Sequence, residues 1–197
     1  MNTHGVDKGR RRVLVAATSV VGAIGAGFVA VPFIASMNPS AKARAAGAPV
    51  QADVSKLEPG ALLRVKWRGQ PIWVVNRTDA MLEALPTLDP KLTDPGSMVP
   101  QQPEYCQNPT RSINPTYFVA IGICTHLGCS PTYRPEVAPD DLGADWKGGW
   151  FCPCHGSKFD LAGRVYKGVP APTNLVIPKH TYLNETTILI GEDEGAA

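Results

Sequence analysis

The sequence predicts an all-β sandwich or barrel domain preceded by one N-terminal transmembrane helix. Three observations predict it. A long apolar run without charge lies near the N-terminus, several short β-branched and aromatic runs are separated by turn residues, and the 197 residues include 19 Gly and 19 Pro. That much Pro suits a loop-rich domain and excludes helical repeats and coiled coils. With 18% charged residues and a net charge of +2, a highly charged disordered chain is also excluded.

The positive charge is a feature of the tail. Residues 1–12 carry Lys8, Arg10, Arg11 and Arg12 against Asp7 alone, so the remainder is close to neutral and presents no nucleic-acid-binding patch. Residues 13–35, VLVAATSVVGAIGAGFVAVPFIA, contain no charge. About 20 apolar residues suffice to cross a bilayer as a helix, and the basic tail keeps the N-terminus cytoplasmic and the body outside. Arg11-Arg12 with the apolar run after it fits a twin-arginine export signal. The run exceeds the usual 7–15 residues of a cleaved signal, so a retained anchor is expected, although small-residue sites at Ala41-Lys42-Ala43 and Ala43-Arg44-Ala45 would permit cleavage.

Residues 36–52, rich in Ala, Gly and Pro, read as a flexible tether. Folded protein is expected from Asp53. Ala61–Trp67 and Pro71–Val75 flank Arg68-Gly69-Gln70 and predict a hairpin. Thr78–Leu85 predicts a short helix capped by Thr78 or Asn76. Residues 86–115, with many Pro, Asp and Asn, read as an extended surface insertion. Tyr117–Ile123 predicts a strand, and Thr181–Leu183 with Thr187–Ile190 a closing strand pair. The sequence contains no internal repeat. The four Trp (Trp67, Trp73, Trp146, Trp150) suit core packing, with Trp150 placed to shield the segment beside it. His180 reads as structural, Cys106 as a free thiol without a role, and His4 and Glu192-Asp193-Glu194 as solvated ends.

Four of the five Cys and two of the four His fall within residues 124–155. They form two segments, Cys124-Thr-His126-Leu-Gly-Cys129 and Cys152-Pro-Cys154-His155-Gly-Ser157, separated by 22 residues. Paired short loops of this kind trap metal, because each loop fixes several ligands at little entropic cost. Six donors exceed the four of one tetrahedral zinc. They are compatible with zinc and two spare residues, with a four-Cys cluster and spare His, or with a mixed set. In an exported body, two nearby thiols outside the metal would oxidise to a disulfide.

The two segments resemble the Rieske iron–sulfur family, whose cluster boxes read C-x-H-x-G-C and C-x-C-H-x-S. The layout of anchor and domain, the segment Gly168-Val-Pro170-Ala-Pro172 and the stretch Asp53–Val75 are similar to the bacterial cytochrome bc branch of that family. The resemblance implies a Rieske-type β-sandwich over residues 53–197, with an inserted cluster-binding part at about 122–172. It implies a single 2Fe–2S cluster with Cys124 and Cys152 on the buried iron and His126 and His155 on the outer one. It implies a Cys129–Cys154 disulfide, and Ser157 bonding a bridging sulfide. High-potential members carry Tyr two residues after that serine; here Phe159 lacks the donor, which implies a lower potential.

The expected activity is quinol–cytochrome-c reduction within a proton-translocating complex, with His155 hydrogen-bonding ubiquinol and accepting its proton. The expected partners are a cytochrome b subunit and a cytochrome c-type subunit in a dimeric complex. The expected location is the bacterial inner membrane, single-pass, with the cluster domain periplasmic. Two rivals are an exported Rieske electron-transfer subunit of arsenite-oxidase type and a zinc-stabilised binding module.

Overall fold

Asp7 starts the first helix. Its carboxylate accepts hydrogen bonds from the backbone N–H groups of Gly9 and Arg10 at 2.9 and 3.2 Å, which satisfies two donors that a helix start leaves open. In the computed structural model, which describes Gly5 and Asp7–Asp193, helix α1 runs Lys8–Ser36. His4 and Glu194 lie outside the described residues. At 29 residues the helix is about 43 Å long, and it is long and apolar enough to cross a membrane. It takes in the basic residues ahead of Val13, which are good helix formers, and it contains Pro32 one turn from its end. A second helix, α2 (Ala41–Gly47), occupies much of the stretch expected to be a flexible tether. Its sequence, AKARAAG, is nearly all helix-favouring, and the Ser40 hydroxyl accepts from the Ala43 N–H at 3.1 Å. Met1–Ala45 and Ala46–Ala197 form separate units.

The body begins three residues ahead of the expected boundary. Strand β1 (Val50–Asp53) pairs antiparallel with β9 (Thr187–Ile190), which pairs with β8 (His180–Asn184). The second sheet is β2 (Leu62–Trp67), β3 (Gln70–Asn76) and β4 (Tyr117–Ile121), all antiparallel. Arg68 and Gly69 turn the β2–β3 hairpin with φ of 50° and 78°, the doubly positive pair that a tight hairpin requires. The third sheet is β5 (Thr132–Arg134), β6 (Gly149–Phe151) and β7 (Lys158–Asp160).

The central strand is β3, buried on both faces. Ile72 and Val74 pack with Ala52, Val119, Ile188 and Ile190 on one side. Trp73 and Val75 pack on the other with Phe118, Trp150, Cys124 and Cys152. The two-residue alternation of a strand thus joins the body's apolar core to the region of the Cys/His segments. Helix α3 (Asp79–Ala84) is capped by Thr78 rather than Asn76, the Thr78 hydroxyl accepting from the Met81 N–H at 3.3 Å.

Residues 86–115 differ from expectation. They include two short 3-10 turns, Pro86–Lys91 and Glu104–Cys106, and their Leu88, Leu92, Ser97, Cys106, Arg111 and Ser112 are buried. The segment is therefore a packed wall as well as a surface loop. Its apolar anchors are too widely spaced to show a period of 2 or 3.6.

Gly149 tests the third sheet. Its φ is +149°, and a Cβ there would collide with the Phe159 carbonyl oxygen across the β6–β7 pair. Gly149→Ala is expected to cost at least the roughly 1–3 kcal/mol of an overpacked core, read as a lower denaturation midpoint of the full-length protein.

Candidate metal centre

The two Cys/His segments occupy equivalent loops. Two residues separate β4 from the first, and the second is the six-residue connection between β6 and β7. In the first, the Cys124 N–H donates to the Cys129 carbonyl at 2.7 Å and the Gly128 N–H to the Cys124 carbonyl at 3.1 Å. In the second, the Cys152 N–H donates to the Ser157 carbonyl at 2.8 Å and the Gly156 N–H to the Cys152 carbonyl at 2.9 Å. The same ring thus closes twice. The fifth residue of each loop has positive φ, +84° at Gly128 and +77° at Gly156, which is why each segment carries glycine there.

This repetition sets the depth of each donor. The first residue of each loop points inward, and Cys124 and Cys152 are 3% and 2% exposed. The histidines stand nearer solvent, His126 half-buried and His155 exposed, their rings edge to face with centroids 4.8 Å apart. Cys129 and Cys154 are joined by a disulfide with Cα atoms 6.7 Å apart, across 25 residues of sequence. The sulfurs of Cys129, Cys152 and Cys154 lie within 4.8 Å of one another. Because two of them are bonded together, only Cys152 of the three offers a thiolate.

Burial is the main influence on the Cys152 thiol and raises its pKa, with the adjacent Cys124 thiol acting in the same direction. Backbone N–H groups of Cys154 and His155 oppose the rise by hydrogen-bonding the sulfur. Such donors also favour a charged sulfur bound to metal.

A third loop closes over both segments. The Thr125 hydroxyl donates to the Thr173 carbonyl at 2.7 Å, and the Ala171 N–H donates to the Ser157 hydroxyl oxygen at 3.0 Å. Ser157 is fully buried. With its oxygen accepting from Ala171, its own proton remains available for donation. Behind the loops, Trp150 stacks on Trp73 at 5.5 Å with planes 4° apart and packs against Phe118 and Tyr133. Phe159, fully buried, pairs across strands with Trp150 and belongs to the same apolar core as the two inner cysteines.

The remaining candidates lie outside the two loops, although Cys106 shares the buried core with Cys124 and Cys152. Cys106 is a free thiol, pushed up to about 11 by burial. His180 is buried with Nδ1 2.8 Å from the Pro178 carbonyl, a structural position, and burial lowers its pKa. The ties from Thr125 and Ala171 were missed in the sequence, as was the exposed Leu127, because a hydroxyl, a backbone amide and a lone apolar residue carry no spacing signal.

Two thiols and two imidazoles complete either one tetrahedral zinc or the outer valences of a two-iron cluster. Residues 99–181 match the family described as "Rieske [2Fe-2S] domain", and residues 1–40 match "Ubiquitinol-cytochrome C reductase Fe-S subunit TAT signal". The "Ubiquinol-cytochrome c reductase iron-sulfur subunit" of Allochromatium vinosum is 78% identical over the whole chain and 95% of its own length. The chain belongs to this family of Rieske iron–sulfur subunits. Subunits of the same description from Blastochloris viridis and Rhodospirillum rubrum are 42% and 40% identical, over 92% and 96% of this chain and the same shares of their own lengths. A Rieske subunit takes a 2Fe–2S cluster, which sets aside the zinc module. The fully matched anchor and body likewise set aside the arsenite-oxidase type.

Removing the disulfide with Cys129→Ala and Cys154→Ala is expected to leave the four other donors in place and loosen both loops. A chain-entropy cost of about 3 kcal/mol applies to a loop of this size. The double variant should unfold earlier and hold less iron per chain, as measured by denaturation and metal analysis.

Proposed function

We propose that the chain is the iron–sulfur subunit of a bacterial cytochrome bc complex, accepting an electron from ubiquinol with coupled proton release and delivering it to a cytochrome c-type haem. Cys124 and Cys152 would hold the inner iron, and His126 and His155 the outer one. The observation that carries this reading is the ordering by depth: two thiols at 3% and 2% exposure beneath a half-buried and an exposed imidazole. When bound, the cluster supplies a one-electron acceptor, and two neutral imidazoles in place of thiolates make it easier to reduce.

The residues divide the remaining work. An imidazole has two nitrogens, so the one not used on iron at His155 is free to face solvent, hydrogen-bond the quinol and take its proton. Leu127 is 71% exposed, and Pro153, Pro170 and Pro172 are exposed in the same three loops. They form an apolar rim that would exclude water when the loops meet a cytochrome b subunit. The Ser157 hydroxyl would donate to the centre and favour its reduced, more negative state. The anchor α1 would sit in the inner membrane of a dimeric complex, its basic end cytoplasmic and the body periplasmic.

Replacing either imidazole restores a negative charge. His126→Cys or His155→Cys is expected to abolish the normal Rieske absorption and paramagnetic spectrum; an unchanged spectrum would remove that residue from the ligand set.

Phe159 gives a graded test. A hydrogen bond to a charged group is worth roughly 1.5–3 kcal/mol, and only the difference between redox states moves the potential. Taking about 1 kcal/mol, Phe159→Tyr should raise the midpoint on the order of 40 mV, measured by redox titration. An unchanged or lower midpoint would place the added hydroxyl away from the ligand sulfurs.

A further inference from the structure

Among the described residues the buried charges are Arg77, Arg111, Arg164 and Asp160. All four converge on one turn, Asp160–Gly163, which leaves β7 immediately after the second ligand loop. Arg77 donates to the Leu161 carbonyl at 3.1 Å and to the carbonyls of Thr110 and Pro115. Arg111 donates to the carbonyls of Ala162, Gly163 and Leu175 at 3.0, 3.2 and 2.9 Å. Arg164 pairs with the Asp160 carboxylate at 2.8 Å and reaches Asp89 and the Leu85 carbonyl. Asp160 also accepts from the N–H groups of Ala162 and Arg164.

We propose that Arg77, Arg111 and Arg164 are positioning residues for the metal centre, locking the Asp160–Gly163 turn behind the second ligand loop while their unbalanced positive charge raises the centre's reduction potential. The turn joins that loop to the segment whose Ala171 binds Ser157 and whose Thr173 receives Thr125. Guanidinium forks spread over backbone carbonyls fix such a turn more rigidly than any single contact.

The charge follows from the count of partners. Among the described residues, three buried cations face one buried carboxylate; Asp89, 48% exposed and bonded to Arg164, and Asp94, half-buried and acting on Arg111, lie nearer solvent. Burial lowers Arg77 and Arg111 to about 10, so both remain charged at neutral pH. The field reaches the centre through apolar material. The Arg77 guanidinium lies 5.3 Å over the Phe118 ring, Phe118 lies 5.3 Å from Trp150, and both rings share a core with Cys124 and Cys152. Such surroundings screen charge far less than water, and positive charge favours the more negative, reduced state.

The inference rests on those two cysteines with His126 and His155 holding a 2Fe–2S cluster. Its test uses the full-length, cluster-loaded protein in detergent, with the midpoint potential and the rate of cluster loss to a chelator measured together. Arg111→Lys keeps the charge and loses the fork; it should lose its cluster several-fold faster than the parent at an unchanged midpoint. Arg111→Met should lower the midpoint. Asp89→Asn keeps an acceptor oxygen for Arg164 but removes the opposing charge, and should raise it. If Arg111→Met does not accumulate, the other two variants decide. Cluster loss in Arg111→Lys at the parent's rate would overturn the clamp, and a midpoint in Asp89→Asn that stays or falls would overturn the charge effect. A parent protein without a Rieske spectrum would instead overturn the ligand reading.

Discussion

Everything at the site depends on holding two six-residue loops at one spacing. Neither loop carries enough donors alone, and each reaches the centre from a different sheet, so the distance between them must be set by contacts outside the ligands. Within each loop, the paired hydrogen bonds around Cys124 and Cys152 fix where the first cysteine points. Between the loops, the Cys129–Cys154 disulfide links one to the other. Above them, Thr125 and Ser157 attach the same proline-rich segment to both. Removing any one tie leaves the donors present but their separation less restrained.

The strand that supports this arrangement is β3. Its Ile72 and Val74 serve the β1–β9–β8 side, and its Trp73 and Val75 serve the loops. Gly122, at the entry to the first loop, has no room for a Cβ because the Trp73 ring occupies that space. Trp73 in turn stacks on Trp150, two residues before Cys152. Both loops are therefore seated on one aromatic pair rooted in the central sheet. Burial of the two inner thiols, with His126 half-buried and His155 exposed beyond them, follows from this seat, and the proposed function assigns the electron to that interior and the proton to the rim.

Different parts of this were legible to different degrees before the structure. The β2–β3 hairpin, the Thr78-capped helix, β4 and the closing β8–β9 pair were legible because alternation, turn residues and a capping threonine are local signals. The paired Cys/His loops and the disulfide between them were legible because Cys, His and Gly recur at fixed spacing. The three-residue strands β5, β6 and β7 were not, since a run that short shows no period. Strand β1 was hidden in an Ala- and Pro-rich stretch, because its pairing with β9 lies far along the chain. The buried arginines were invisible for a related reason: a sequence shows a charge but not the carbonyls that will surround it, and residues 86–115 read as surface for that reason.

The central claim is mixed ligation, with two imidazoles and two thiolates supplied by loops held at this spacing. The most direct test is pulsed electron paramagnetic resonance of the dithionite-reduced, full-length protein, reading the nitrogen couplings of the reduced cluster. The account predicts two strongly coupled nitrogens, both lost from the spectrum's normal form when His126 and His155 are replaced together. A reduced cluster with no directly bound nitrogen, or a colourless protein holding zinc, would contradict it.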